Sequence, residues 1–352
     1  MNILLAGKLQ HDNFGDVIMA AYYMNKEHQY YLFNSTDIVL NRLMELGYNA
    51  QLVNFDNIED VSFDACVYIG GGYFGHTYLN GSKWCSEWEN KNGLYKLSRY
   101  LVEKNIKYIV QSVEVGPIYQ SSLRDKIKFI LENASSVTVR NKGSKQYCLN
   151  KLNLKVKEQG DIVYHESSSF FSRYIGSENN NLVVHVTDKY NGSNLLKKNF
   201  TSAILNYVKS NNQSYNEVVL ITDNEVTSNL DEAVKSFCDE LLKEEIEFRV
   251  VRYKNTPLPD IFKEVSNSKL MITTKLHLGV LAKSFGSNVK CFTDAPKSRR
   301  FYKDNNALHE IENFYLKLKK TTISDHAKVT SSEEPKSGVY IEEYDRFIRG
   351  LV

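Results

Sequence analysis

The chain has 352 residues, of which 42% are hydrophobic and 24% charged, the profile of a folded globular protein rather than a disordered one. Lys and Arg number 44 against 42 Asp and Glu, a formal net charge of +2, so the chain lacks the basic excess expected of a nucleic-acid binder. Five scattered cysteines (Cys66, Cys85, Cys148, Cys238, Cys291) contain no CxxC pair and suggest neither a disulfide framework nor a zinc site.

The elements follow in chain order. Asn2–Ala6 reads as a buried first strand, followed by a loop and a helix over Val17–Met24. An apolar segment at Tyr30–Phe33, a helix near Ile38–Leu46 and a strand at Ala50–Asn54 come next. Cys66–Ile69 is a strand that runs into Gly70-Gly71-Gly72, read as a glycine turn. A helix at Leu94–Glu103, a strand at Tyr108–Gln111, a helix at Leu123–Asn133 and a strand at Val137–Val139 complete the first half. The polar stretch Ser177–Asn181 suits a linker, after which the pattern restarts. Strands are expected at Leu182–Val186, Val218–Thr222, Phe248–Val251 and Leu270–Thr273. Helices are expected at Leu195–Ser210, Leu230–Glu244, Ile261–Ser266 and Leu276–Phe285, and a loop around Asn191-Gly192. Strands alternating with helices argue for a parallel sheet covered on both faces, made twice. The expected domains are 1–176 and 182–335. A tail helix over 338–352 would pack Tyr340, Tyr344, Phe347, Ile348 and Leu351 on a domain.

Four places bear chemistry. The first is Asn13-Phe14-Gly15-Asp16, which opens a helix just after a strand, where α/β sheets bind ligands. Asn13 or Asp16 caps that helix, or Asp16 faces a substrate hydroxyl. The second is the triplet Gly70, Gly71 and Gly72 at a strand end, where glycine admits a close ligand or a tight turn. The third joins Gln111–Pro117 with Arg140 and Ser144; Arg140 is either an anion clamp or half of a structural salt bridge. The fourth is Thr274-Lys275-Leu276-His277, a strand end running straight into a helix start. Free N–H groups and the helix dipole favour an anion there, and Lys275 and His277 add charge and a proton donor.

These places, in this order, resemble the polysaccharide pyruvyl transferase family over about residues 1–290. The family's Asn-x-Gly-Asp loop matches Asn13, Gly15 and Asp16, and its glycine triplet matches Gly70–Gly72. Its Gly-Pro segment matches Gly116-Pro117, its Arg-Asp-x-x-Ser motif Arg140 and Ser144, and its Arg-Leu-His helix start Leu276-His277. An Asp like Asp161 also recurs between the halves. Asn141 stands where the family usually has Asp, and Lys275 replaces Arg; lysine keeps the charge and loses the fork.

The resemblance implies an α/β fold of two Rossmann-like domains with parallel sheets facing across a cleft, GT-B-like. It implies phosphoenolpyruvate as co-substrate and no cofactor or metal. The acceptor would be a sugar or lipid-linked oligosaccharide, and the product a pyruvate ketal. His277 would be the general acid and Asp16 the base. Lys275, Arg140, Thr274 and Ser144 would hold the donor, and Asn13, Gly15 and the glycine triplet the acceptor side. Two alternatives share much of this reading: a nucleotide-sugar glycosyltransferase of the same fold, and a non-catalytic relative. The expected location is cytoplasmic, at the inner membrane face if the acceptor is lipid-linked, because Met1–Gly7 is no signal peptide.

Overall fold

A computed structural model describes residues 1–10, 13–75, 81–164, 174, 180–186, 194–211, 214–222, 228–292, 296–305, 311–312, 344 and 346–351. The expected loop at Asn191-Gly192 and most of the tail before Tyr344 lie outside the described residues. The chain divides into two compact units. The first comprises Met1–Glu166 and Ser337–Val352, and the second Ser167–Lys336. The division falls ahead of the Ser177–Asn181 stretch read as the linker.

In the first unit β1 (Asn2–Ala6), β2 (Gln29–Phe33), β3 (Ala50–Val53), β4 (Ala65–Tyr68), β5 (Gly71–Phe74), β6 (Tyr108–Val115), β7 (Ser136–Val139) and β8 (Lys157–Glu158) form one sheet. Between them run α1 (Phe14–Tyr22), α2 (Asp37–Met44), α3 (Gly81–Glu103), α4 (Ser121–Glu132) and α5 (Lys142–Tyr147). The strand order is β3-β2-β1-β4-β6-β7-β8, with β5 paired to β6. The pairings are parallel, as connections through helices require. Alternation sends Leu4, Ala6, Cys66, Tyr68, Tyr108 and Val110 to one face, where Leu94, Leu97 and Leu101 of α3 and Leu123, Ile127 and Ile130 of α4 cover them. The tail belongs to this unit: Tyr344 is buried and its hydroxyl donates to the Tyr23 carbonyl at 2.9 Å.

The second unit repeats the plan with β9 (Asn181–Val186), β10 (Val218–Thr222), β11 (Phe248–Arg252), β12 (Ser268–Thr273), β13 (Asn288–Phe292) and β14 (Ile311–Glu312). Its helices are α6 (Asn194–Asn211), α7 (Ser228–Lys243), α8 (Leu258–Ser266), α9 (Leu276–Ser284) and α10 (Pro296–Asp304). Its order is β11-β10-β9-β12-β13-β14. Leu182, Val184, Val186, Leu220 and Ile272 pack on Ile204 and Val208 of α6 and Phe237 and Leu241 of α7. In each sheet the order reverses direction beside the first strand, between β1 and β4 and between β9 and β12. Such switch points open a crevice beyond the carboxyl ends of the strands.

Three readings need correction. The glycine triplet is not only a turn: Gly71–Phe74 is β5, which adds to the far half of β6 through Gly71↔Val113 and Phe74↔Val115. β6 runs to Val115, four residues beyond the expected end at Gln111. Elements α5, β8, β13, α10 and β14 were not expected at all; most are short, and β8 and β14 have only two residues each.

Candidate active site

Asn13 sits outside α1 in extended backbone, and its side chain accepts from Gly15 N at 3.1 Å. It is therefore the helix cap, the bland alternative for this position. Asp16 lies in the first turn of α1 and is buried. Its charge reaches Tyr73, whose phenol is pushed well above its ordinary value, first by burial and then by Cys66 and Asp16. The Tyr73 hydroxyl donates to the Ile69 carbonyl, which ties β5 back to the end of β4.

The glycines differ in purpose. A Cβ on Gly70 would stand 3.1 Å from Met19 Sδ and 3.3 Å from the Ser112 carbonyl, so Gly70 lets β4 pass close to β6. Gly71 has φ +144, a conformation that side chains rarely adopt. Gly72 is exposed, and a Cβ there would stand 3.4 Å from Glu114 Oε2 and 3.6 Å from Arg140 Nη2.

Arg140 follows β7 with its guanidinium engaged by two carboxylates. Nη2 donates to Glu114 Oε2, and Nη1 lies 3.7 Å from Asp161 Oδ2. The side chains of Arg140 and Glu114 are 11% and 13% exposed, and that of Asp161 1%. The salt-bridge alternative is thus the one present. Ser144 is buried, and its hydroxyl accepts from Val115 N at 2.9 Å, which holds α5 against β6. Asn141 caps α5 by accepting from Ser144 N at 2.8 Å, a bond that an aspartate makes equally well. Gly116-Pro117 is a cis peptide, and Gly116 has φ +77 beneath the Tyr147 ring.

In the second unit, Thr273 Oγ1 accepts from Lys275 N at 2.9 Å. Lys275 occupies the cap position of α9 and makes no side-chain cap of its own. Thr274, Lys275 and His277 are partly exposed, and the His277 Nε2 atom itself is shielded from solvent. Thr274 Oγ1 lies 3.4 Å from Nδ1 of His185. His185, the penultimate residue of β9, lies on the face opposite Val184 and Val186 and is 1% exposed. The bond therefore spans the β9/β12 switch point. Close packing fixes α9: a Cβ on Gly279 would lie 2.5 Å from the Tyr302 hydroxyl.

Asp16, Gly70–Gly72, Arg140 and Ser144 thus belong to the first unit, and Thr274, Lys275 and His277 to the second. Sequence reasoning missed Glu114, Thr273 and His185 as site residues. For His185 the signal was a histidine in an otherwise apolar strand; Glu114 lies within the Gln111–Pro117 segment, which the sequence singled out without giving that residue a role. Among the described residues, no group of three or more His, Cys, Asp or Glu side chains could hold a metal ion, and no helix is long and apolar enough to cross a membrane.

Two parallel Rossmann-like units, each with polar residues at its strand-order switch, define an α/β enzyme of GT-B-like fold. Solved structures agree on the fold. UDP-GlcNAc 2-epimerase from Methanocaldococcus jannaschii superposes with a TM-score of 0.58 at 12% identity, covering 100% of this chain and 99% of that one. UDP-GlcNAc 2-epimerase from Neisseria meningitidis bound to UDP-GlcNAc gives 0.55 at 12% identity, over 100% and 99%. Identity this low speaks for the fold alone. No curated protein sequence matches the chain. The family model for polysaccharide pyruvyl transferase matches residues 7–289. The chain belongs to the polysaccharide pyruvyl transferase family and is a transferase.

Proposed function

We propose that the protein transfers the enolpyruvyl carbon skeleton of phosphoenolpyruvate to two hydroxyls of one sugar in a surface polysaccharide or its precursor, forming a cyclic pyruvate ketal. The observation that carries this reading is the start of α9. There Thr274 and Lys275 lead directly into the first turn of a nine-residue helix, whose second residue is His277. A dianionic phosphate or a carboxylate suits unbonded N–H groups and a positive helix end.

His277 protonates the methylene carbon, and the first sugar oxygen bonds to the neighbouring carbon. The carbon–oxygen bond to phosphate then breaks, and the second hydroxyl closes the ring. Of the two hydroxyl protons, one balances the proton placed on the new methyl group and the other leaves with phosphate. Because Arg140 already holds two carboxylates, the donor's charge falls to Lys275 and the α9 N-terminus. The first unit, which carries Asp16 in the first turn of α1 and Glu114 near the end of β6, serves the acceptor. Acceptor hydroxyls on a lipid-linked oligosaccharide would bring the enzyme to a membrane surface.

The test is a thermal-shift comparison of phosphoenolpyruvate with nucleotide sugars, followed by phosphate release with sugar acceptors. A donor at a hundredfold excess over its Kd adds about 2.7 kcal/mol of stability. A shift with nucleotide sugars and none with phosphoenolpyruvate would overturn the proposal in favour of glycosyl transfer.

A further inference from the structure

Strand β6 breaks its own alternation. Tyr108 and Val110 face the α3/α4 core, and so do Val113 and Val115, three and five residues beyond Val110. Strict alternation would have put Gln111, Val113 and Val115 together on the other face and Glu114 in the core. The parity changes at Ser112, which has φ +51, and the register with β7 shifts between Val110 and Val113. This is a bulge, a device that re-aims a side chain at the cost of local strain. Three bonds hold it: Ser112 N donates to Thr138 Oγ1 at 2.9 Å, Ser112 Oγ donates to the Gly160 carbonyl, and Arg140 N donates to the Val113 carbonyl at 2.9 Å. The outcome is that Val113 and Val115 are buried and the Glu114 carboxylate emerges beside Arg140 and the exposed Gly72.

The surroundings suit a neutral, hydroxyl-bearing ligand. Glu114 and Asp161 together carry two negative charges against one on Arg140, which disfavours an anionic donor. Two glutamines lie along the same strand ends. Gln111, next to the bulge, is fully buried with neither amide atom hydrogen-bonded, and Gln159, next to Gly160, is 6% exposed with its Oε1 unbonded. Buried amides left in this state are costly, which marks this end of the sheet as a polar site.

We infer that the bulged end of β6 is the acceptor site, in which Glu114, aimed by Ser112 and held by Arg140, accepts the proton of the attacking sugar hydroxyl. The inference rests on the pyruvyl-transfer reading and assigns its base to Glu114 rather than Asp16. As the hydroxyl oxygen bonds to the carbon that bore the phosphate ester, its O–H bond breaks and the proton moves to the Glu114 carboxylate. Glu114 then gives that proton to the departing phosphate. Arg140 and Asp161 are positioning residues.

The experiment uses the full chain and a panel of p-nitrophenyl glycosides of the common hexoses and N-acetylhexosamines. Glycoside binding is read by saturation-transfer NMR, phosphoenolpyruvate binding by thermal shift, and turnover by phosphate release. The wild type should bind at least one glycoside. Gly72→Leu places a side chain over the ion pair at positions where a Cβ makes ordinary contacts, so it should fold, keep the phosphoenolpyruvate shift and lose glycoside binding. Glu114→Gln should bind both ligands with kcat lowered by roughly 10²-fold or more. Asp161→Asn, which removes the more buried carboxylate, should lower Tm more than Glu114→Gln and kcat less. Glycoside binding unchanged in Gly72→Leu, wild-type kcat in Glu114→Gln, or no glycoside bound by the wild type overturns the site. If the wild type binds glycosides and phosphoenolpyruvate releases no phosphate, the acceptor site stands and the pyruvyl reading falls.

Discussion

Replacing Gly279 by alanine should destabilise the second unit although alanine is the better helix former. The gain in helix propensity is about 1 kcal/mol. Against it, the new methyl would meet the Tyr302 hydroxyl at 2.5 Å, Thr273 Cγ2 at 3.2 Å and Val289 Cγ1 at 3.3 Å. Tyr302 is fully buried and packs edge-on against Phe301 at 5.2 Å, so it has little room to retreat. Overpacking of this kind costs about 1–3 kcal/mol, leaving a net loss of up to about 2 kcal/mol and a Tm lowered by up to roughly 8 °C for a unit of this size. The methyl also pushes α9 away from β12 and β13, displacing Lys275 and His277, so the KM for phosphoenolpyruvate should rise. Thermal unfolding and phosphate release measure the two effects. The double variant Gly279→Ala/Tyr302→Phe removes the contacting oxygen and should show a favourable coupling of about 0.5–3 kcal/mol. A Gly279→Ala protein as stable as the wild type, with no coupling to position 302, would refute this account of how α9 is seated.

Three further outcomes are expected. His277→Ala should lower kcat by roughly 10²–10⁴-fold with donor affinity kept, whereas Lys275→Ala should chiefly raise donor KM and Lys275→Arg be tolerated; steady-state phosphate release separates them, and wild-type kcat in His277→Ala removes the proposed acid. Asn141→Asp should be close to neutral in urea denaturation and Asn141→Ala should cost about 1 kcal/mol, since position 141 caps α5; equal stability of all three proteins would show the cap to be idle. Alkaline pH should destabilise the first unit. Burial pushes the Tyr68, Tyr73 and Tyr108 phenols above their ordinary 10.0, the Cys66 thiol above its ordinary 9.0 and the Cys148 thiol up to about 12. The unfolded chain ionises these groups first, so their contribution is whole below about pH 9 and is lost as pH rises further. A Tm that stays level from pH 9 to 11 would contradict it.

The repeated strand–helix plan was legible because buried parallel strands such as Leu182–Val186 are continuous apolar runs, and because Gly70 and Lys275 follow such runs closely. What local pattern did not carry was decided by long-range pairing. Gly71 and Gly72 disfavour a strand, and Gly71–Phe74 is one because β6 continues past Gln111 to receive it. The reach of β6 depends on Ser112 adopting a conformation that its own side chain disfavours, held by Thr138 and Gly160. Periodicity has no means of registering that, and the expected strand therefore stopped at Gln111, short of Glu114. Arg140 was read with both of its alternatives, and the partners that make its salt bridge, Glu114 and Asp161, are 26 and 21 positions away.

The first unit is assembled from both ends of the sequence, Met1–Glu166 and Ser337–Val352, with Tyr344 bonded to Tyr23. On the ribosome this imposes a schedule. The 170 residues of Ser167–Lys336 must be synthesised before the closing segment exists, a delay of roughly ten to thirty seconds at about 5–20 residues per second. During that interval the early-made sheet is without the segment that buries Tyr344 and Ile348, while the second unit, continuous in sequence, can complete itself first. Of the two units, the one whose first segment is made earlier is thus completed later.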